Sequence, residues 1–168
     1  MNKNKIEELI DYYDLSKHPE GGYFKEVFRS KLEVYPNYAK PEPRSASSSI
    51  YFLLPSDKST IFHRIKTEEV WNFYEGDPMH VVILSNDSKD GVVLLNLGTN
   101  FREGQVRQAV VPANSWFSSF IPMPSSGYSF TGCSVSPGFE FRDYESGKKQ
   151  ELLKEFPKAS EYIEKLFK

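Results

Sequence analysis

Hydrophobic positions change their spacing twice along the chain. Apolar side chains recur every three or four residues over positions 4–13 and again over about positions 149–167, which is the spacing of amphipathic helices. Asn4 suits the N-cap of the first helix, and Pro157 suits the first turn of the last one. The pattern therefore predicts one helix at the start of the chain and two short helices at its end.

The segment between these helices, from about residue 23 to residue 144, contains short runs in which apolar residues alternate with polar ones or stand together. Clusters of Pro, Gly, Asn, Asp and Ser separate the runs, as turns separate strands. Many short strands at this spacing indicate a mainly β protein, an antiparallel sandwich or barrel. The predicted strands cover residues 23–28, 49–54, 59–65, 70–75, 80–84, 92–97, 105–111, 116–120, 128–135 and 139–142.

Composition narrows the class of protein further. A chain of 168 residues suits a single domain over residues 1–168, and an aromatic share of 15% favours strands and pocket walls. A net charge of −2 provides no basic field for nucleic acid or anionic lipid. No apolar run reaches the roughly 20 residues of a membrane span. Because the sequence has one cysteine, Cys133, and no signal-peptide pattern, we expect a cytoplasmic protein.

The scarce histidines indicate one candidate site. His63 lies in the predicted strand 59–65, and the next strand places Glu69, Trp71 and Phe73 on one face. If the two faces meet, His63 and Glu69 project into one cavity that the aromatic side chains wall. A carboxylate beside an imidazole shifts both pKa values, as an acid–base pair or a metal site requires. The alternative is a core histidine satisfied by its neighbours and a solvated carboxylate.

The segment before the first predicted strand has two interpretations. Glu20 precedes the pair Gly21-Gly22, which permits a close ligand approach at the mouth of a barrel and equally suits a plain turn. His18 stands before a proline, so its backbone is expected to be extended, and we interpret it as structural or exposed. Cys133 is interpreted as a buried, inert thiol.

Five motifs follow one another in the order found in a known family. They are His18-Pro19-Glu20-Gly21-Gly22-Tyr23-Phe24, the run 47–54, Phe62-His63-Arg64-Ile65, Glu69-Val70-Trp71 through Gly76-Asp77-Pro78, and the run 132–141. On these motifs the sequence resembles the DUF985 family, also called cupin 5, over nearly its whole length. The resemblance implies a cupin, a double-stranded β-helix that forms a jelly-roll-like barrel, and a homodimer. It also implies a likeness in shape to sugar-nucleotide epimerases of the dTDP-4-dehydrorhamnose type, but it brings no settled activity.

The resemblance allows the general cupin metal motif to be tested on this chain. The motif has two His one residue apart, then a Glu and a Gly, and a third His in a second motif. His63, Glu69 and Gly76 match, whereas the first His position holds Ile61 and the third holds Phe117. Catalytic metal sites usually keep at least three protein ligands. We therefore expect no metal cofactor beyond a weakly held divalent ion.

Without a metal, the likeness to the epimerases implies that His63 acts as general acid or base, provided that a carboxylate orients its ring. Glu69, Glu140 and Asp143 are the candidates, and strand alternation puts the last two on opposite faces. A proton donor of the epimerase kind would be a tyrosine, and an arginine would bind a phosphate or carboxylate. The predicted catalytic residues are His63, Glu69 and Asp143, and the predicted ligand-binding residues are Glu20, Tyr23, Arg29, Tyr51, Trp71, Phe73 and Glu140.

Three functions stay open on the sequence. The first is a metal-independent isomerase or epimerase acting on a sugar-like or nucleotide-linked small molecule. The second is a cupin that binds a small molecule without chemistry. The third is a metallo-cupin with an incomplete His/Glu site. A small molecule is the expected partner in each case, and the barrel alone does not decide among them, since one fold hosts many functions.

Overall fold

Short strands form most of the chain in the computed structural model, which describes residues 2–125 and 127–167. Helix α1 spans Asn2–Tyr12, α2 spans Lys149–Glu155 and α3 spans Ser160–Leu166. The strands are β1 Ser16–Lys17, β2 Tyr23–Arg29, β3 Glu33–Val34, β4 Arg44–Ser45, β5 Ser48–Pro55, β6 His63–Ile65, β7 Glu69–Gly76, β8 Met79–Leu84, β9 Val92–Leu97, β10 Gln108–Val111, β11 Phe117–Phe120, β12 Tyr128–Val135 and β13 Tyr144–Ser146. Turns of 3₁₀ helix cover Phe101–Glu103, Phe141–Asp143 and Pro157–Ala159.

The described residues form three antiparallel sheets, which confirms the mainly β expectation. The larger sheet has the order β1-β2-β5-β12-β7-β10, the second has the order β13-β6-β11-β8-β9, and β3 pairs with β4 in a small hairpin. From β5 onward the chain passes between the two large sheets at almost every step, and only the β8–β9 hairpin stays within one sheet. The two sheets therefore face each other around a common interior.

The interior between the sheets is a hydrophobic core, and helices pack on part of each outer face. Strand β8 is apolar on both faces for this reason: Val81 and Ile83 point into the inter-sheet core, whereas Val82 and Leu84 lie under the C-terminal helices. Burying such a side chain contributes roughly 1.5–3 kcal/mol. The helix α1 covers part of the larger sheet, where Leu9 packs with Leu53, Tyr128 and Phe130. The helical spacing at both ends of the sequence thus provides the two covering layers.

The structure corrects several predicted boundaries. Helix α1 begins at Asn2, so Asn4 lies inside the helix and is not its N-cap. The predicted strand 139–142 is wrong, because residues Phe141–Asp143 form a 3₁₀ turn and strand β13 follows it. Residues 59–62 run beside β11 without forming a continuous strand, and β6 begins only at His63. Pro157 begins a 3₁₀ turn that leads into α3.

Candidate functional site

A cavity of about 200 Å³ lies between the two large sheets. It contains acidic and imidazole side chains among apolar ones, and strands β2, β5, β7 and β12 of the larger sheet and β6 of the other contribute to its wall. The lining residues are His18, Glu20, Phe24, Glu26, Arg29, Ser48, Ile50, His63, Ile65, Glu69, Cys133, Val135, Phe139, Glu140 and Phe141. Polar groups that converge in an apolar pocket are typical of a small-molecule site.

His63 is held in one orientation at the buried end of this cavity. Its side chain is 5% exposed and its ring packs against Phe117, with the ring centroids 4.1 Å apart. Nδ1 lies 2.8 Å from the carbonyl oxygen of Ile61. Because a carbonyl can only accept, Nδ1 carries the proton, and the neutral ring presents an unprotonated Nε2 to the cavity.

Glu20 completes a carboxyl–imidazole pair with His63. Its Oε2 atom lies 3.1 Å from His63 Nε2, and its side chain is 11% exposed. Burial, together with the nearby charge of Glu69, raises the pKa of Glu20 to about 8, whereas burial lowers the pKa of His63 to about 4. Between these two pH values the pair holds one proton besides that on Nδ1; it resides on Glu20, whose Oε2 lies within hydrogen-bond distance of Nε2.

The Gly21-Gly22 turn fixes the position of Glu20. Both glycines have positive φ, at 113° and 74°, and a Cβ on Gly21 would lie 2.8 Å from the carbonyl oxygen of Ser59. The Glu20 carbonyl accepts a hydrogen bond from the Ile61 N–H at 2.9 Å. The glycine pair thus forms the plain turn, and the absence of side chains lets this turn press against the segment that leads into β6; the close approach of a ligand stays a prediction.

His18 is a cavity residue that the sequence analysis interpreted as structural or exposed. Its Nδ1 accepts the backbone N–H of Glu20 at 3.2 Å and lies 3.8 Å from Glu20 Oε2. Its ring packs edge-on against Phe24 and Phe52, and burial lowers its pKa to about 4. One feature of the sequence could have indicated this role. His18 lies two residues before Glu20, at the start of the glycine turn, where a side chain can hydrogen-bond to the backbone of the turn.

Glu69 and Cys133 form the other polar contact at the buried end. The two residues lie on the adjacent strands β7 and β12, where Cys133 is opposite Trp71 and Glu69 is opposite Val135, and both line the cavity. Burial raises the pKa of Glu69 to about 7, an effect that the thiol of Cys133 opposes. Burial and the neighbouring carboxylate raise the pKa of Cys133 well above its usual value. The thiol is therefore protonated, as the sequence suggested, although it lines the cavity.

The exposed rim of the cavity carries permanent charges. Arg29 binds Glu26 through two hydrogen bonds of 2.7 and 3.0 Å, and it also reaches Glu140 at 3.4 Å and the carbonyl oxygen of Phe139 at 3.0 Å. The side chains of Arg29, Glu26 and Glu140 are 36–40% exposed. These side chains therefore belong to the more exposed part of the cavity lining.

Several predicted site residues lie elsewhere. Asp143 is not a cavity residue: it binds the buried Arg44 at 2.6 and 2.9 Å, because the 3₁₀ turn replaces the predicted strand alternation. Trp71 and Phe73 point inward from β7 but lie in the hydrophobic core beside the cavity and not in its wall. Tyr23 and Tyr51 face outward from β2 and β5 and pack in the cluster under α1.

The cupin metal motif does not fit this chain. Phe117, at the third His position, packs on His63, and Ile61, at the first, is 38% exposed. The free nitrogen of His63 already faces Glu20. Within the described ranges 2–125 and 127–167, no group of three or more His, Cys, Asp or Glu is arranged to hold a metal ion. The residues at these positions therefore do not fit the metal of the cupin motif.

Comparisons with known proteins identify the family and agree with the fold. A family model described as Cupin superfamily (DUF985) matches residues 7–147. An uncharacterized protein of Saccharomyces cerevisiae is 29% identical over 166 residues, which cover 90% of this chain and 79% of that protein. The structure of a hypothetical protein from Leishmania major has a TM-score of 0.86 at 30% identity and covers 95% of this chain and 96% of its own.

A protein from Shewanella oneidensis is similar to the same degree, with a TM-score of 0.83, 30% identity and 96% of both chains covered. The names of these relatives state no activity, and a shared fold does not determine function.

In the part of the chain that the structure describes, no helix has the length and apolarity needed to span a bilayer.

Proposed function

Since the chain belongs to the family described as Cupin superfamily (DUF985), we propose that its cavity is the active site of a metal-independent isomerase- or epimerase-like enzyme. The substrate is a small sugar-like molecule, free or linked to a nucleotide. A volume of about 200 Å³ accommodates a reacting group of this kind, whereas a nucleotide would lie at the exposed rim near Arg29. Homodimerisation and a cytoplasmic location stay predictions.

The observation that carries the proposal is the contact of 3.1 Å between Glu20 Oε2 and His63 Nε2 inside the cavity. The Ile61 carbonyl fixes the His63 tautomer, so only Nε2 exchanges protons. General acid–base catalysis is most effective when a group has a pKa near the working pH. The pKa of Glu20, raised to about 8, and that of Glu69, raised to about 7, both meet this condition.

The proposed chemistry is removal and return of a proton beside a carbonyl group. The proton of Glu20 first passes to His63 Nε2, which leaves a carboxylate that takes the proton from the substrate carbon. The resulting enolate lies close to the imidazolium, which stabilises its charge. Glu69, in its protonated form, supplies a proton to the other face of the carbon. One proton then returns from the Glu20–His63 pair to Glu69, and every group regains its starting state.

The test is incorporation of deuterium from D₂O into candidate substrates, followed by ¹H NMR. The panel contains free keto and aldo sugars, sugar nucleotides and small keto acids. Glu20→Gln keeps a hydrogen-bond donor toward His63 Nε2 but cannot transfer a proton, so the variant should fold and exchange should slow by at least about 100-fold. His63→Gln should slow it similarly.

His80→Asn is the matched control, because His80 is a partly exposed histidine on β8 that packs on Phe120 outside the cavity. It should leave the exchange rate unchanged.

Thermal shift measurements on the same panel distinguish the enzyme from a cupin that only binds its ligand. A ligand that stabilises the protein with no exchange in any mixture would replace the enzyme by a non-catalytic binding cupin. Exchange that survives Glu20→Gln would overturn the role of the pair.

A further inference from the structure

A second cleft opens on the outer face of the larger sheet, away from the cavity. It has a volume of about 350 Å³ and is lined by Tyr13, Tyr51, Tyr74, Glu75 and Phe130. We call it the aromatic cleft. Four of its five lining side chains are aromatic and the fifth is a carboxylate, a combination unlike that of the cavity. Neither the acid–base pair nor the rim residues contribute to it.

An irregularity in strand β7 brings the carboxylate to the aromatic side chains. Phe130 of β12 is opposite Glu75, and the next residue, Thr131, is opposite Phe73, so Tyr74 has no partner on β12. Side chains normally alternate between the two faces of a strand. A bulge breaks this alternation and re-aims a side chain, and here Tyr74 and Glu75 line the same cleft although they are consecutive residues.

The rings are close together but not parallel. The ring of Tyr51 lies 4.9 Å from that of Tyr13, 5.5 Å from that of Phe130 and 6.1 Å from that of Tyr74, with interplanar angles of 64°, 43° and 81°. The hydroxyl of Tyr74 reaches over Gly132, where any side chain would collide with it. The rings therefore pack against one another at steep angles and line the cleft as a tilted cluster, and not as a flat stack.

The charge of the cleft is negative. Glu75 is exposed, and one of its oxygens accepts a hydrogen bond from the Tyr128 hydroxyl at 3.0 Å. Lys25 of β2 lies on the same outer face of the larger sheet as the cleft, and it forms an ion pair with Asp14. The aromatic faces add the negative side of their quadrupoles to the carboxylate. An anion is thus disfavoured, and a cation is attracted.

From this geometry we propose that the aromatic cleft binds an alkylated ammonium group, such as the trimethylammonium head of a small ligand. Such a cation has no N–H to donate and is stabilised by aromatic faces and a nearby carboxylate. A primary ammonium needs three hydrogen-bond acceptors and loses strong hydration on binding. The alkylated group loses less hydration and presents methyl groups that fit against the rings.

The test compares choline with its neutral isostere 3,3-dimethyl-1-butanol, in which carbon replaces the charged nitrogen. Binding is followed by titration in ¹H–¹⁵N NMR spectra of the full chain. We expect choline to shift signals of Tyr51, Tyr74, Glu75 and Phe130, with an affinity at least fivefold higher than that of the isostere. This difference corresponds to the strength of a cation–π interaction at a partly exposed site.

Variants measure the contributions of the ring faces and of the carboxylate to choline binding separately. Tyr74→Phe keeps the ring and should retain choline binding within about twofold, whereas Tyr74→Leu should weaken it at least about fivefold. Glu75→Gln should also weaken choline binding and leave the isostere unaffected. Glu161→Gln, an equal change of charge at an exposed position of α3, should have no effect.

Equal affinities for choline and the isostere would reduce the aromatic cleft to an apolar depression and overturn the proposal. The same conclusion would follow if the signals that shift lie outside the cleft, or if Tyr74→Leu binds as the unaltered protein does. A Tyr74→Leu variant with an unchanged melting temperature shows that the loss concerns the site and not the fold.

Discussion

Glutamate side chains lie at both ends of the cavity, but their burial and their neighbours differ. At the buried end, Glu20 and Glu69 lie beside imidazole and thiol groups, and burial raises the pKa of each carboxyl. At the exposed rim, Glu26 and Glu140 form ion pairs with Arg29 in contact with solvent. Burial without a neighbouring cation raises the pKa of a carboxyl group, whereas an exposed carboxylate can form an ion pair with a guanidinium.

Because of this difference, the two ends of the cavity are suited to different roles. The buried end holds protons that can move at neutral pH, so it is suited to acid–base chemistry. The rim holds fixed charges of both signs, so it is suited to recognising a charged part of a ligand. Burial and the nearest cation, and not residue type, decide which carboxylate has which role.

The largest effect is expected at a third kind of carboxylate, Asp143, which lies outside the cavity. It forms a bidentate pair with Arg44, and the two side chains are 11% and 3% exposed. In Asp143→Ala the guanidinium of Arg44 stays buried. The carboxylate that remains beside it is that of Glu42, which is more distant and exposed. We expect the free energy of unfolding to fall by about 3–5 kcal/mol, measured by urea denaturation.

The matched control is Glu145→Ala, which removes the partner of Arg64. The side chains of that pair are 34% and 53% exposed, so its loss should cost under about 1 kcal/mol. If Asp143→Ala were equally mild while abolishing deuterium exchange, Asp143 would return to the catalytic role that the sequence suggested for it.

The second prediction concerns pH. In the folded protein Glu20 keeps its proton to about pH 8 and Glu69 to about pH 7, against a usual carboxyl pKa of 4.5. The folded state therefore binds more protons than the unfolded state, and stability falls as the pH rises through this range. His18 and His63 act in the opposite sense, because their pKa values fall from 6.5 to about 4, so stability rises with pH over that interval.

The two effects oppose each other below about pH 6.5, and only the carboxyl effect remains above it. The free energy of unfolding should decrease by about 1–2 kcal/mol between about pH 6.5 and pH 8. Urea unfolding at several pH values measures this decrease, which should be smaller in Glu20→Gln. A constant stability across the interval would mean that both carboxyl groups are already ionised, and the protonation states assigned to the cavity would be wrong.

Strand positions were largely predictable because the hydrophobic pattern has a physical cause. The strands predicted at 92–97 and 128–135 match β9 and β12, since each is flanked by clear turn residues. The turn at Phe141–Asp143 was missed because its apolar and polar residues also alternate. A local pattern cannot distinguish a strand from a 3₁₀ turn whose long-range partner, here Arg44 bound to Asp143, is unknown.

The site was predictable only in part for the same reason. His63 and Glu69 are brought to one cavity, as alternation on neighbouring strands suggested, and Glu20 and Glu140 also line it. The pairing of His63 with Glu20 joins residues 43 positions apart, a separation that follows from the numbering of the chain. No spacing rule links them. Tyr51 was misplaced because nothing in a single sequence says which face of β5 meets the cavity.

The smallest effect is expected at the rim. Arg29 and Glu140 are 3.4 Å apart and 36% and 38% exposed, so Glu140→Gln should change the free energy of unfolding by under about 0.5 kcal/mol. The same change removes one of two carboxylates around Arg29. Binding of an anionic probe such as thymidine diphosphate should become about two- to fivefold tighter at low salt, measured by calorimetry.

High salt should remove this gain, because exposed charges are screened. Glu20→Gln, an equal loss of a carboxyl at the buried end, should not tighten binding of the anion, because Glu20 is already protonated and uncharged below about pH 8. If both variants tightened binding equally, the buried carboxyl would carry charge, and the contrast between the two ends of the cavity would disappear. If only Glu140→Gln does so, charge recognition belongs to the rim and proton transfer to the buried end.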